Sequence, residues 1–580
     1  MTTALNDLTD RYVDELAALD PCLAAVMGIA GQEERLTDFG PRAAGERAEL
    51  ARRTLRAVDG TPVAGEAERV AAAVLRERLA TEVALADADA YGTLLDTIDG
   101  PVQRVRQAVA LLDQGADTAW ETLLARLRAV PATLAGLRDS LEEARRGRRV
   151  APYRQVVRNA RDCRDLRQYL TGLPAGHGDG ALRGVLEEAA RAADEALSDF
   201  ASYLTRQLAA DAPRLDAVGA DRYRLGVREF LGTRLDLTET YAWGWDELAR
   251  VRAQMSAEAA RLAPGEPVPA VLAALDRDPR YQVAGPAALR DRLQELADGA
   301  IADLDGTHFV IPEPLLRIDC RVAPSDGPAF YLAPSEDLSR PGAVWWPLSG
   351  SDRPIPTWTV PSTMFHEGVP GHHLQLGVTT LNTGTLNRFQ RLASELHPGH
   401  CEGWGLYAEQ LMDELGHFAD PAHRLGMLAG GQQLRAARVV LDIGLHLRLR
   451  IPAGTGFHEG ERWTPRLGRE FLTEYCGLGP PGFVDFEIDR YLGRPGQALA
   501  YKLGEKVWLE AREAARRRDG AAFDLKRFHQ RALDLGPMGL DLLRAELARR
   551  PSLAHPEKTP PLSPHLSRRV EPDPVASLEE

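Results

Sequence analysis

The stretch His366-Glu367-Gly368-Val369-Pro370-Gly371-His372-His373 places three imidazole groups and one carboxylate within eight residues. Such a grouping is typical of a divalent metal site with a general base at its edge. It departs from the common H-E-x-x-H motif, because Pro370 replaces the second histidine and the next imidazole comes six residues after His366. The stretch therefore predicts a metal site on an interrupted helix.

A regular helix cannot bring His366 and His372 to one ion. Residues six apart lie about 240° apart around the helix axis, whereas residues four apart share a face. Proline removes a helical donor and glycine accepts unusual dihedral angles, so Pro370 and Gly371 predict a kink that returns His372 to the face of His366. His373 is the alternative ligand, which requires a nearly straight helix.

A third metal ligand is expected from a neighbouring helix. Nine of the 14 histidines lie between positions 366 and 458, which favours one chemical centre in this region. Glu402 is the first candidate for this ligand. It lies 30 residues after His372, which is enough for one helix to end and an antiparallel one to begin. Glu409 lies on the same helical face and is the alternative, and one of the two could instead orient a ligand histidine. Three further residues stay in reserve as ligands: His397, His400 and Cys401.

Four motifs in this order resemble the bacterial family catalogued as domain of unknown function 885, DUF885. They are His-Glu-x-x-Pro-Gly-His-x-x-Gln at 366–375, Glu-Gly-Trp-x-Leu-Tyr-x-Glu at 402–409, and the segments 438–446 and 491–504. The resemblance covers almost the whole chain and includes a Tyr-x-x-Pro-Ser-x-Asp-x-Ser-Arg-Pro-Gly pattern at 331–342. It implies a distant likeness to largely helical zinc peptidases with a deep cleft. The family pattern carries the histidine at position 372 and varies at 373, which favours His372 as the ligand.

The same analogy implies a hydrogen-bond donor for the oxyanion that forms during amide hydrolysis. In helical zinc peptidases a tyrosine from a later helix has this role, which makes Tyr501 the first candidate, followed by Tyr491 and His446. Three more residues of the matched motifs are candidates. Asp442 is an alternative ligand or a residue that orients one, and Gln497 and Tyr331 are candidates for substrate binding.

Four cationic residues lie close in sequence to the proposed oxyanion donor: Arg438, Arg490, Arg494 and Lys502. A cation there could pair with the terminal carboxylate of a peptide, and arginine does so through two parallel hydrogen bonds. As a set, these residues favour carboxypeptidase-like action from the end of a peptide.

The amino-acid composition argues against several classes of protein and of binding partner. The net charge of −14 and pI near 5.6 argue against nucleic acid or an anionic membrane as the main partner. No apolar stretch approaches the roughly 18 to 20 residues that span a bilayer, and the first ten residues do not resemble a signal peptide. The five cysteines are scattered, without a C-x-x-C pair. We therefore expect a cytoplasmic protein; the oligomeric state stays open.

Hydrophobic periodicity predicts a mainly α fold: a multi-helix single body with a small antiparallel β element and a deep, zincin-like active-site cleft. Residues 1–306 form the N-terminal helical region, and three short strands are expected in the β element at 307–350. Residues 351–550 form the helical metal-site region, and 551–580 a Pro-rich tail. The four segments are expected to form one continuous structural unit.

These features predict a zinc-dependent hydrolase of amide bonds that acts on peptides. His366, His372 and Glu402 would hold one Zn²⁺ per chain, with Glu367 as the general base. Two alternatives stay open at this stage. One is a metalloenzyme that acts on a small non-peptide amide or a biosynthetic intermediate, and the other is a non-catalytic helical binding protein.

Overall fold

Helices carry most of the chain, which the computed structural model describes over residues 3–112, 119–178, 180–323, 327–348, 354–476 and 482–550. The helices before the sheet region are α1 Ala4–Leu19, α2 Pro21–Met27, α3 Pro41–Gly60, α4 Gly65–Asp87, α5 Pro101–Ala110, α6 Ala119–Arg146, α7 Tyr153–Gly172, α8 Ala181–Tyr203, α9 Ala209–Asp211, α10 Gly219–Leu231, α11 Leu237–Leu262, α12 Val268–Leu275 and α13 Gly285–Leu304. This succession agrees with the amphipathic pattern predicted up to residue 306.

The helices after the sheet region carry the predicted site residues. They are α14 Val360–Glu367, α15 His372–Leu381, α16 Arg388–Leu392, α17 Pro398–Glu414, α18 Pro421–Gly426, α19 Leu434–Leu447, α20 Pro465–Tyr475, α21 Phe483–Gly493, α22 Ala500–Asp519, α23 Leu525–Asp534 and α24 Leu540–Ala548. A π-helical segment, Met427–Gln433, joins α18 to α19. The mainly helical fold class is thereby confirmed. The predicted tail at 551–580 lies outside the described residues.

Short polar side chains set several helix starts. Asp236 accepts hydrogen bonds from the backbone N–H groups of Thr238 and Glu239 at the start of α11. Asn387 and Gln390 form a reciprocal capping box at the start of α16. Each cap satisfies backbone donors that have no partner inside the helix.

Within the described ranges, five short strands form two small sheets. Strands β1 Gln282–Val283 and β5 Ile355–Pro356 pair antiparallel. Strands β2 Asp319–Ala323, β3 Phe330–Leu332 and β4 Ala343–Pro347 form a three-stranded sheet in the order β2-β4-β3. The small β element is confirmed, with β3 and β4 antiparallel as expected. Strand β2 runs parallel to β4, because the chain passes through the edge strand β3 before it returns to the centre of the sheet.

Two apolar clusters fill the interior of Met1–Ala548, which forms one compact unit. The smaller cluster joins α5 to α8 through buried side chains such as Leu127, Leu166 and Leu197. The larger cluster includes Trp404 of α17 and Trp508 of α22, which meet edge to face. Among the described residues, none of the helices combines the length and apolarity that crossing a bilayer requires.

Candidate metal centre

The predicted helix interruption lies between α14 and α15. Helix α14 ends at Glu367 and α15 begins at His372, and the Val369–Pro370 peptide bond between them is cis. Glycine is required at position 371, since a β-carbon there would overlap the backbone carbonyl groups of Phe365 and His366. The turn brings the rings of His366 and His372 to a centroid distance of 4.8 Å, nearly perpendicular to each other.

Glu402 of α17 completes a three-residue cluster with these two histidines. Its Oε2 atom lies 3.3 Å from His366 Nε2 and 3.6 Å from His372 Nε2. Donor atoms bound to one tetrahedral zinc at 2.0–2.2 Å lie about 3.3–3.6 Å apart. One donor atom from each residue lies within 4.8 Å of the other two. The side chain of Glu402 is 23 % exposed, so solvent reaches the cluster. The donor set and the two distances from Glu402 therefore fit a zinc ion.

Glycine at position 405 allows α17 to approach the first ligand. A β-carbon at Gly405 would lie 2.5 Å from Cε1 of His366, which is closer than van der Waals contact permits. On the same helix, Trp404 donates a hydrogen bond from Nε1 to the Pro370 carbonyl at 2.8 Å. The Glu-Gly-Trp-Gly sequence thus supplies both the carboxylate and the space for the imidazole.

Glu409 lies behind His366, on the side away from Glu402. His366 Nδ1 donates to Glu409 Oε1 at 2.8 Å, and the hydroxyl of Ser362 donates to Glu409 Oε2. A carboxylate in this position fixes the tautomer and the orientation of a ligand histidine. Of the two roles considered for Glu409, the geometry favours orientation of the ring over direct ligation.

The two carboxylates beside His366 favour positive charge within the cluster. Burial alone would lower the pKa of His366, but hydrogen bonds to Glu402 and Glu409 outweigh it and raise that pKa well above its usual value. Burial would raise the pKa of Glu402, yet hydrogen bonds with His366 and His372 hold it well below its usual value. An ionised carboxylate can bind a metal ion directly, whereas the imidazole of His366 has to lose a proton to do so.

Glu367 follows His366 in sequence and interacts electrostatically with all three residues of the cluster. It is buried, and burial raises its pKa; the carboxylate of Glu402 acts in the same direction, while His366 and His372 oppose it. The backbone N–H of Tyr331, on the edge strand β3, also contacts this carboxylate and lowers its pKa. A carboxylate with a raised pKa binds a proton more readily near neutral pH.

His373 does not face the cluster. Its Nε2 lies 3.0 Å from the Leu315 carbonyl and its Nδ1 lies 3.1 Å from the Tyr331 hydroxyl. Burial lowers its pKa to about 4, so the ring is neutral, with one nitrogen donating and the other accepting. Between the two candidate imidazoles, the structure brings His372 to His366 and Glu402 and places His373 against the sheet region.

Tyr501 is the candidate oxyanion donor that lies beside the cluster. Its ring stacks on His366 at a centroid distance of 6.4 Å, and its hydroxyl accepts from Arg490 Nη2 at 3.3 Å. Tyr491 is instead fully buried and donates its hydroxyl to Glu487.

His446 and Asp442 lie in the interior, away from the other candidate ligands. His446 Nε2 donates to the Tyr491 carbonyl at 2.9 Å, and burial lowers its pKa to about 4. Asp442 accepts from the Tyr223 hydroxyl at 2.7 Å and from the Gly496 N–H at 2.8 Å. Burial raises the pKa of this carboxyl to about 7. Asp442 thus ties α19 to α10 and to the loop at Gly496, and His446 ties α19 to α21.

The predicted cationic residues divide into two groups. Arg438 and Arg490 lie beside the Tyr501 ring, and Gln497 accepts from Arg490 Nη2 at 2.9 Å. The other two have partners elsewhere. Arg494 faces Asp99 at 3.6 Å, and the buried Lys502 pairs with Glu247, Glu505 and Gln432.

The reserve ligands also lie outside the cluster. His400 Nδ1 meets Gln375 Nε2 at 3.1 Å, and burial lowers its pKa to about 3. His397 is buried with its pKa far below the usual value, again through burial. Cys401 donates its thiol to the Ser394 carbonyl. Within the described ranges, only His366, His372 and Glu402 meet as a potential ligand set.

Two residues that lie next to the site were not predicted from the sequence. Ser362 precedes His366 by four residues on α14, a spacing that places both on one helical face. Arg435 precedes Arg438 by three residues on α19 and also lies over the Tyr501 ring. Helical spacing from a predicted site residue was the available signal in both cases.

Comparison with solved structures shows the same fold in two bacterial proteins. One, described as a putative lipoprotein from Colwellia psychrerythraea, has a TM-score of 0.77 at 20% identity, with 94% of this chain and 98% of that chain covered. The other, a putative lipoprotein of unknown function from Shewanella oneidensis, has a TM-score of 0.70 at 15% identity, with 94% and 100% covered. At these identities the likeness concerns the fold alone. Among curated proteins, no sequence matches this chain.

The family match extends over nearly the whole described chain. Residues 21–547 match the family described as bacterial protein of unknown function, DUF885. This range includes every motif that carried the resemblance, from the pattern at 331–342 to the segment at 491–504. The chain therefore belongs to the DUF885 family.

Proposed function

We propose that this protein is a zinc-dependent hydrolase of amide bonds, with peptides as the substrate class. The observation that carries the proposal is the meeting of His366, His372 and Glu402, in which the two distances from Glu402 to the imidazoles fit the donor distances of a tetrahedral zinc site. Glu367 at the edge of this cluster and Glu409 behind His366 supply the two further groups that such a site uses.

Each residue has a distinct task in the proposed reaction. When bound, Zn²⁺ supplies a Lewis acid that polarises an amide carbonyl and acidifies water. Glu367 accepts the proton of the attacking water and delivers it to the leaving nitrogen. Tyr501, held by Arg490, donates its hydroxyl to the oxyanion. Glu409 keeps the imidazole of His366 in the required orientation.

A deep cleft of the zincin type around this centre belongs to the same proposal. It is supported by the exposure of Glu402 in an otherwise buried cluster and by the edge strand β3, whose Tyr331 contacts Glu367. An edge strand leaves main-chain groups free to pair with an extended peptide. A protein loop that stays folded would not reach the metal under this arrangement.

The decisive experiment combines metal analysis with a substrate library. The purified chain should bind one zinc ion, and His366→Ala should lose it. Glu367→Gln should keep the zinc and lose about 10²- to 10⁴-fold in kcat, because glutamine cannot accept the proton. Glu513→Gln, a partly exposed position on α22, is the matched control and should retain full activity.

The library also separates the remaining classes of function. It contains peptides, N-acyl amino acids and small amides without an amino-acid unit. If only the small amides without an amino-acid unit are hydrolysed, the protein is an enzyme of small-molecule metabolism and not a peptidase. Stoichiometric zinc without hydrolysis of any member would indicate a binding protein.

The location of the protein stays a prediction. Cytoplasmic location was expected from composition, whereas the two solved structures with this fold are described as putative lipoproteins. Cell fractionation of the native protein, with detection by an antibody, decides between a soluble and a membrane-associated form.

A further inference from the structure

Three guanidinium groups surround the ring of Tyr501, which itself stacks on the proposed ligand His366. The Cζ atoms of Arg438, Arg435 and Arg490 lie 4.8, 5.4 and 5.7 Å from the centre of this ring. Tyr501 and Arg435 are both partly exposed. The cationic group therefore lies beside the metal centre and within reach of solvent. We call these three arginines the arginine cluster.

The arginine cluster carries more positive charge than its surroundings neutralise. Glu487 pairs with Arg438 at 2.9 Å and with Arg490 at 3.3 Å. Arg435 forms no ion pair with any carboxylate in the described part of the chain; its Nη1 donates to the Gly430 carbonyl. Three guanidinium groups thus share one paired carboxylate, which leaves a surplus of two positive charges.

Two buried donors of the arginine cluster have no acceptor. Nη1 of Arg438 and Nε of Arg435 are inaccessible and make no hydrogen bond within the described ranges. Arg438 as a whole is only 4 % exposed. A buried charged donor without a partner is costly, so such atoms indicate an acceptor that binds there. Lys502 and Arg494, by contrast, have carboxylate partners.

We propose that the arginine cluster binds the free α-carboxylate of the substrate, so that the enzyme acts on peptides and N-acyl amino acids with an unblocked carboxyl end. Guanidinium groups match a carboxylate through paired charge-assisted hydrogen bonds. The arginine cluster adjoins the proposed metal site through the Tyr501 ring, which stacks on His366 at a centroid distance of 6.4 Å. The inference rests on the proposed hydrolase function.

Binding measurements test the pocket without any need for turnover. Zinc-loaded wild-type protein is titrated calorimetrically with a panel of N-acetyl amino acids and with the matching amides. The acids should bind about 10- to 100-fold more tightly than the amides, the range expected for charge-assisted hydrogen bonds. Arg435→Ala should abolish this preference, and Arg435→Lys should restore part of it. Arg517→Ala, an exposed position on α22, should change nothing.

Kinetic measurements test the same preference for free acids over amides during catalysis. Peptides with a free carboxyl end should be hydrolysed with a kcat/KM about 10- to 100-fold above that of their amides, and Arg435→Ala should remove the difference mainly through KM. The zinc content of each variant is measured, so that a collapsed site is recognised.

The outcomes separate the two proposals. Equal binding of acids and amides by the wild type, or an undiminished preference in Arg435→Ala, would overturn the carboxylate pocket. Tighter binding of inorganic phosphate than of any N-acetyl amino acid would reassign the pocket to phosphate and likewise overturn it. A strong acid preference without hydrolysis of any peptide would support the pocket and reject the hydrolase.

Discussion

Replacement of Glu409 by glutamine should weaken zinc binding by about 10- to 100-fold, or ~1.4–2.7 kcal/mol. Glu409 accepts a hydrogen bond from His366 Nδ1 at 2.8 Å and another from the Ser362 hydroxyl. It is only 2 % exposed, so water cannot take over either contact. Glutamine keeps the size, but its oxygen is neutral, and charge-assisted hydrogen bonds are about twice as strong as neutral ones. His366 is then held less firmly.

Competition with a chromophoric zinc chelator at fixed pH measures this change in Kd. Glu414→Gln is the matched control, because Glu414 lies on the same helix but is exposed and pairs with Arg512 instead of His366. Ser362→Ala should cause a smaller loss than Glu409→Gln, since it removes only the outer contact. An unchanged Kd in Glu409→Gln, or an equal loss in Glu414→Gln, would refute the role of Glu409 in orienting His366.

Three further predictions follow from the same geometry. His372→Ala should lose stoichiometric zinc and His373→Ala should retain it; metal analysis giving the reverse would reassign the ligand. Gly405→Ala places a methyl group 2.5 Å from His366, so zinc affinity should fall. The overpacking should also lower the free energy of unfolding, measured in urea, by about 1–3 kcal/mol. Zinc binding as tight as in the wild type would contradict this prediction. Burial alone would raise the pKa of Glu487, but Arg438 and Arg490 outweigh it and lower that pKa to about 2, below the ordinary 4.5. Its stabilising contribution is therefore complete above pH 4.5 and is lost as the pH falls towards 2. Glu487→Gln should destabilise the protein at pH 7 and show less of this acid loss in urea titrations.

Much of the site was predictable because its signals are local. Pro370 and Gly371 cannot continue a regular helix, and the structure ends α14 at Glu367 and restarts at His372. The strands near 319–323, 330–332 and 343–347 likewise follow from β-branched and aromatic residues between turn-forming ones. Helical periodicity was sufficient for the mainly α class.

Other assignments depended on contacts between distant segments. Sequence spacing left His372 and His373 as alternatives, and the difference between them lies in Leu315 and Tyr331, which occupy both nitrogens of His373. Spacing also could not assign Lys502 and Arg494, whose partners come from other helices.

The residues of 366–373 and 402–409 determine which chemical groups are present and where the helices can begin and end, because propensity, capping and ring constraints act over a few neighbours. They do not determine which side chains meet. That depends on the packing of α14, α15, α17, α19, α21 and α22, which brings together Glu402, Glu409 and the arginine cluster from positions up to 124 residues after His366. Burial and charge pairing, which set the pKa values and the surplus of cations, exist only after these helices have packed.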